Sequence, residues 1–219
     1  MIEIQKLEKH FSSGWERVSI FENTDFSLDD GEFIAVVWPS GSGKSTFLNI
    51  LSGIEREYAW TVKIEGQNIQ KFSDNQMTRF RGKNVSYIFQ NFKLIENLTV
   101  KENIDLIIDL NGLERNFSTK EILEIVGLGN KMNSYVYNLS GWESQRVAIA
   151  RAFVWKTKLL LADEPTWALD SVNKKIVMQL IGELHKRVGN SIVLITHDDE
   201  VAALAEKIYR VQNAQLELV

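Results

Sequence analysis

The chain has no cysteine. Disulfides, thiolate metal ligands and a cysteine nucleophile are thereby excluded. Nor does it contain an unbroken apolar run of roughly eighteen residues, the length that a membrane-crossing helix needs. Residues 1–11 alternate polar and apolar without an apolar h-region, so no signal peptide is expected. Positive charge is not in excess. The 25 Lys and Arg against 29 Asp and Glu leave a net charge of −4, and no nucleic acid is expected as a partner. Against these absences stand 219 residues, 44% hydrophobic and 25% charged, a balance ordinary for a globular domain that buries a substantial core. The expected setting is the cytoplasm.

The apolar residues fall into short runs. Residues 33–37, 85–89, 159–162 and 192–195 are apolar with Ser86 as the one polar interruption, rather than alternating, as in parallel strands covered on both faces. Helical patterns follow several of them, at 44–51, 171–187 and 200–207, and this alternation predicts an α/β fold. Near the N-terminus, residues 2–4, 18–21 and 61–64 alternate and are separated by turn residues, which predicts an antiparallel layer. Residues from about 91 to 157 read as mostly helical, with helices at 100–110, 119–126 and 144–154. The expected organisation is one domain over 1–219, with a core of 1–90 and 158–219 and an inserted helical subdomain of about 91–157.

Two stretches carry chemistry. Residues 38–46, WPSGSGKST, follow an expected strand and open an expected helix. They meet the phosphate-loop (Walker A) pattern at every defining position except its first glycine. Consecutive main-chain N–H groups around Gly41 and Gly43 would cradle phosphate oxygens, and the helix N-terminus adds positive potential. Lys44 would reach the β- and γ-phosphates, and the Ser45 hydroxyl would hold Mg²⁺. A plain Gly/Ser turn between strand and helix is the alternative. Residues 159–164, LLLADE, form an apolar run that ends in two acids. Asp163 would hold Mg²⁺ through water and Glu164 would act as general base on the attacking water. Acids that merely end a strand and cap the next helix are the alternative there.

The order of these elements resembles that of the ATP-binding cassette (ABC) ATPases, over nearly the whole chain. Residues 139–152, LSGWESQRVAIARA, look like the family signature LSGGEQQRVAIARA and stand shortly before the acidic strand end. Gln90 matches the Q-loop glutamine, Asp170 in residues 168–170 matches the D-loop, and His197 matches the switch histidine that senses the γ-phosphate. Phe11 sits where the family places an aromatic that stacks on adenine. Each has a plainer reading: Gln90 as an exposed polar residue, His197 as a strand-end histidine, Phe11 as core.

The resemblance implies a P-loop NTPase (RecA-like) parallel core and an ATPase using ATP and Mg²⁺. ATP would be held by Phe11, Ser40, Gly41, Ser42, Gly43, Lys44, Ser45 and Thr46, and the metal by Ser45, Gln90 and Asp163. Glu164, His197 and Gln90 would act on the bond that breaks. Two such domains would pair head to tail as a homodimer on binding ATP, with Ser140, Gly141, Trp142 and Glu143 of one facing the nucleotide of the other. The helical subdomain and the Q-loop would form a cleft for a transmembrane permease, which places the chain at the inner face of the membrane. Residues 81–95 and 162–170 look like the lipoprotein-releasing and macrolide-exporting branch, with the cell-division ATPase in the same neighbourhood.

All six tryptophans stand on glycine-like sites. Trp38, Trp142 and Trp167 occupy positions where the family has glycine. Trp15 follows Gly14 in a turn, Trp60 precedes an expected strand at a tight turn, and Trp155 follows an expected helix where a left-handed cap belongs. If roughly one position in ten is glycine-like, six of six by chance is on the order of one in a million. A gene whose UGA codons specify glycine, translated as if they specified tryptophan, produces this pattern; six genuine tryptophans at core or surface positions are the alternative. With glycine restored, the phosphate loop reads GPSGSGKST and the signature LSGGESQR. With real indoles, Trp142 obstructs the approach of main chain to the partner's γ-phosphate, and weak hydrolysis is expected.

Two function classes follow from the residues and from the resemblance that they carry. The leading one is ATP hydrolysis coupled to a membrane permease. The second is a nucleotide-gated regulatory or structural module with poor turnover. A DNA-repair ABC ATPase would need a long coiled coil, and a translation-type ABC protein would need two cassettes; the sequence has neither.

Overall fold

The computed structural model of the chain describes residues 1–13, 16–38 and 43–219, with side chains at 12, 13, 16 and 17 outside that description. Two compact units emerge, Met1–Arg81 with Ser191–Val219, and Gly82–Asn190.

The first unit is built around β3 (Phe33–Val37), whose five residues are all buried. Strands covered on both faces favour continuous aliphatic runs, and β3 has parallel neighbours on both edges. On one side β8 (Ser191–Thr196) places Phe33 opposite Ile192 and Val37 opposite Thr196. On the other, β9 (Lys207–Gln212) pairs Ile34 with Lys207 and Val37 with Arg210. A hairpin returns β10 (Gln215–Leu218) antiparallel to β9. Its turn residues Asn213 and Ala214 have φ of 47° and 59°, the two left-handed positions of a tight hairpin turn. Asn213 thus takes the conformation that its side chain tolerates, and Ala214 takes the more costly one.

The antiparallel layer expected at the N-terminus is present and longer than the pattern indicates. Strands β1 (Ile2–Ser13), β2 (Glu16–Leu28), β4 (Ala59–Ile64) and β5 (Gln67–Asn68) form a sheet in the order β2-β1-β4-β5. Register breaks in β1 explain why the regular alternation read at residues 2–4 does not extend along the whole strand. Between Gln5↔Thr61 and Glu8↔Ala59, two residues of β1 face the single residue Trp60 of β4. Lys6 and Trp60 both have positive φ, 53° and 73°. Trp60 therefore lies in a β-bulge inside a strand, not in a turn before it; the demand for a left-handed residue is the same, and its origin differs. Under the sheet an aromatic cluster closes the core, with Phe21, Trp38 and Phe47 mutually 5.6 Å apart at ring centroids and Phe26 5.3 Å from Phe47.

The second unit pairs β6 (Val85–Ile88) with β7 (Leu159–Asp163) in parallel. Between them run three helices, α3 (Val100–Asn111), α4 (Thr119–Ile125) and α5 (Gly141–Phe153). Each begins with a capping box, Thr99 with Glu102, Ser118 with Glu121 and Ser140 with Glu143, which pins its first residue. Helix α6 (Ser171–Val188) is capped by Asp170 and stops at Gly189, whose φ is 71°.

Three expectations need correction. The helix read at 200–207 is one turn, α7 (Asp199–Ala202), and Lys207 already belongs to β9. Sheet pairing with β3 wins over a short helical pattern there, and the amide of Glu206 donates to Phe33 O at 2.8 Å. Helix α2 (Asp74–Asn84) has no counterpart among the expected helices, because only Met77 and Phe80 of its residues are buried and it shows little periodicity. Trp155 is not a left-handed cap. Helix α5 ends through the right-handed Val154, and Trp155 bridges Arg115 in extended backbone. Trp15 lies outside the described residues.

A tryptophan with φ of 73° that is also 56% exposed stores strain without compensating burial. Trp60→Gly is expected to stabilise the protein by about 1 kcal/mol; urea unfolding followed by far-UV circular dichroism would register it as a higher midpoint with an unchanged slope.

Candidate functional site

In the first unit, the buried strand β3 delivers the chain to the phosphate-loop segment. Ser40, Gly41 and Ser42, with Pro39, lie outside the described residues. The two ends of the segment are fixed. At its entry, Trp38 N donates to Thr196 O at 3.0 Å, so the loop begins beside the end of β8. At its exit, Gly43 caps helix α1 (Lys44–Leu51) with φ of 105°. A Cβ there would come within 2.5 Å of Ile20 Cγ2, so both conformation and space require glycine. Thr46 N and Phe47 N donate to Gly43 O at 3.0 and 3.2 Å, which starts the helix at Lys44. Lys44 and Thr46 are half-buried and Ser45 is exposed. His197 is the exposed residue directly after Thr196, at the strand end that receives Trp38 N–H. Phe11 stands on β1, 44% exposed, opposite Val18.

In the second unit, parallel register gathers the acids and the glutamine. Ile88 faces Ala162, so Gln90 and the pair Asp163–Glu164 leave β6 and β7 at the same end. Glu164 is buried at 7% exposure with φ of 43°. Left-handed backbone at a buried, non-glycine residue is the kind of strain that gathers at active sites. Asp163 and Glu164 do not cap the helix that follows; Asp170 does, accepting from Val172 N and Asn173 N at 3.0 and 2.9 Å. Burial, and then the nearby charge of Asp163, push the phenol of Tyr87 up from its ordinary value.

The signature residues open α5. Ser140 Oγ accepts from Glu143 N at 3.2 Å, and Glu143 Oε2 accepts from Ser140 N and Ser140 Oγ, each at 2.9 Å. Lys131 Nζ adds an ion pair at 3.1 Å. The Ser140 amide, then Lys131 and the Ser140 hydroxyl, hold Glu143 at about 2 against an ordinary 4.5. Gly141 is exposed at the first helical position, and a Cβ there would meet nothing within 4 Å.

Arg151 has no signal in the sequence beyond its place in the signature run. It lies on α5 and spans to the loop after Gln90, where its Nη1 and Nη2 donate to Lys93 O at 2.7 Å and Phe92 O at 2.6 Å. Both acceptors are left-handed, with φ of 49° and 53°. One guanidinium thus holds the conformation of the Gln90 loop, and burial lowers its pKa to about 10.

The described tryptophans divide. Trp38 is 1% exposed within the aromatic cluster, yet its indole N–H finds no acceptor among the described residues, which is unusual for a buried indole. Trp142 is half-exposed on the first turn of α5, its ring 5.0 Å from the Arg146 guanidinium. Trp167 is 50% exposed and its Nε1 donates to Gln90 O at 2.9 Å. Trp155 is buried at 2% and lines an open apolar groove with Tyr87, Phe89, Ile95, Ile107 and Leu110.

The family model for ABC transporters matches residues 21–167. An uncharacterized ABC transporter ATP-binding protein, YknY of Bacillus subtilis (strain 168), is 35% identical over 99% of this chain and 95% of its own length. The macrolide export ATP-binding/permease protein MacB of Aggregatibacter actinomycetemcomitans is also 35% identical over 99% of this chain, which spans only 34% of that protein. Among solved structures, a dimeric post-hydrolysis state of the ATP-binding cassette MJ0796 bound to ADP and Pi superposes with a TM-score of 0.86 at 33% identity, covering 99% of this chain and 97% of that one.

The network at the start of α5 has a pH signature. Glu143 ionises more readily folded than unfolded, so its contribution is complete above its ordinary 4.5 and disappears as pH falls through about 2. Glu143→Gln is expected to lower the melting temperature at neutral pH and to flatten its decline between those two values; thermal unfolding across that pH range measures both.

Proposed function

This chain belongs to the ABC transporter family, and from that membership we propose that it binds ATP with Mg²⁺ and hydrolyses it to drive a transmembrane permease. The observation that carries the reading is the junction of β3 and α1. There a fully buried strand feeds a helix whose cap, Gly43, is locked at φ of 105°, the setting in which helix N-terminal amides receive phosphate.

Roles follow residue by residue. Ser40, Gly41, Ser42 and Gly43 offer main-chain amides to the phosphates, Lys44 supplies the counter-charge, and Thr46 supports the first helical turn. Phe11 stacks on the base. Ser45, Asp163 and Gln90 provide hydroxyl, carboxylate and amide oxygens, a hard donor set that suits Mg²⁺. Bound there, the ion would neutralise charge on the phosphates. Glu164 accepts the proton of the attacking water, and His197 steadies the γ-phosphate. Ser140, Gly141, Trp142 and Glu143, with Asp170, face a second copy of the chain; the MJ0796 cassette, similar along its whole length, is dimeric.

The permease reading is supported by the groove in the second unit, where Ile95 and Leu110 remain 47% and 73% exposed. No helix among the described residues is long and apolar enough to cross a membrane. Family membership supports a place at the cytoplasmic face, held there by the permease. Similarity to MacB supports a place in the macrolide-export and lipoprotein-release branch. The regulatory alternative has less behind it, since Asp163 and Glu164 leave the capping of α6 to Asp170.

We also read the tryptophans at 15, 38, 60, 142, 155 and 167 as glycines of the native protein. The left-handed φ of Trp60, and the indole of Trp38 without an acceptor among the described residues, support this; the burial of Trp155 in extended backbone does not add to it. Six UGA codons in the gene would establish the substitution, and six UGG codons would end it. The folded protein gives a second measure. If Trp38 is native, Trp38→Gly removes a buried ring and costs about 3–5 kcal/mol; if glycine is native, the same change restores ATP binding without that loss.

Hydrolysis is tested in the chain carrying Trp38→Gly and Trp142→Gly. Glu164→Gln is expected to cut steady-state turnover by about a hundredfold or more while ATP still binds, and Lys44→Ala to abolish binding. Turnover undiminished in Glu164→Gln would remove the general-base assignment.

A further inference from the structure

Phe11 would stack on a nucleobase through one face only, and the other face is already occupied. Lys9, two residues earlier on β1, shares its side of the strand. Its ammonium sits 4.7 Å from the centroid of the Phe11 ring. The same ammonium donates to Glu57 O at 2.6 Å and pairs with Glu55 Oε2 at 3.0 Å. Lys9 is 4% exposed, whereas lysines are almost never that buried unless paired. Glu55 is anchored in turn, since its Oε1 accepts from Glu57 N at 2.7 Å. Burial would raise the pKa of Glu55, but the Glu57 amide and Lys9 outweigh it and hold the carboxylate below its ordinary value. The Lys9 head group is therefore a fixed point with two oxygen partners and one aromatic face, and Phe11 is the exposed member of the set at 44%.

We propose that Lys9 is a positioning residue for nucleobase binding: its buried ammonium fixes the Phe11 ring from the inner face and turns the outer face to the purine. The inference rests on the assignment of Phe11 to the base. Two physical effects combine. Packing against a fixed cation restricts the ring, which lowers the entropy lost on stacking. The cation also draws π density toward itself, so the outer face is less negative and accepts an electron-rich purine more readily. Glu55 and the Glu57 carbonyl act one step further back, keeping the ammonium under the ring.

The test compares ATP with inorganic tripolyphosphate, which carries the charge and no base. Binding is measured by titration calorimetry on the full chain and on its Trp38→Gly form. Lys9→Met is expected to weaken ATP by about threefold to tenfold and to leave tripolyphosphate unchanged. Lys9→Arg should retain most of the affinity for ATP. In the Lys9→Met background, Phe11→Ala should cost less than it does alone. Where Lys9→Met does not fold because Glu55 is left unpaired, the double variant Lys9→Met/Glu55→Gln removes both buried charges and serves in its place. Equal losses for ATP and tripolyphosphate would show general disruption and overturn the proposal, as would unchanged ATP binding in Lys9→Met. Phe11→Ala without effect, or no ATP binding by either form of the chain, would remove the base-stacking assignment and this inference with it.

Discussion

A parallel pairing governs the first unit. Strand β3 has no exposed residue and no free edge, because β8 and β9 bond to both sides of it. A chain held that firmly leaves the sheet in one direction only, and the bond from Trp38 N to Thr196 O extends the constraint one residue past the strand. The segment that follows must then reach Gly43 and turn into α1. The aromatic cluster beneath, the antiparallel sheet that covers it and the position of His197 all take their bearings from that exit. The ion pair between Lys207 and Glu32, which brings the start of β9 to the residue before β3, secures the same strand from its other end.

The elements legible in the sequence are those whose local pattern and tertiary setting agree. The runs at 33–37, 159–162 and 192–195 are aliphatic or aromatic throughout and are buried throughout. Helices α3, α4 and α5 carry Ser or Thr followed three residues later by Glu, and each forms the capping box that this spacing predicts. Sequence reasoning fails where distant pairing decides the outcome. Residues 203–207 have no local reason to abandon a helix; β3 supplies it. The broken alternation of β1 hides a strand of twelve residues, because bulges at Lys6 and beyond move side chains between faces. Helix α2 buries too little apolar surface for periodicity to reveal it.

The candidate site residues are legible to differing degrees for similar reasons. Lys44, Asp163, Glu164 and Gln90 belong to motifs with fixed offsets from strands, and the parallel register of β6 and β7 brings Gln90 and the two acids to one end. Lys9 and Arg151 have no such marker. Each is held by partners distant in sequence, Glu55 and Glu57 for the one, Phe92 and Lys93 for the other. The tryptophans show the same contrast between local rule and tertiary accommodation. At Trp60 the backbone keeps the left-handed geometry that suits glycine, whereas at Trp155 the surrounding groove accepts the ring and the backbone is extended.

Arg151 makes two loop carbonyls and a helix mechanically continuous. Because a guanidinium is planar and its two donors point the same way, Phe92 and Lys93 cannot shift independently of each other or of α5 without breaking charge-assisted bonds. A push on the loop is therefore felt along the helix axis as a single displacement, and Ser140 stands at the far end of the same unbroken helix. The protein has, in effect, a strut between the loop that carries Gln90 and the helix that begins with the signature.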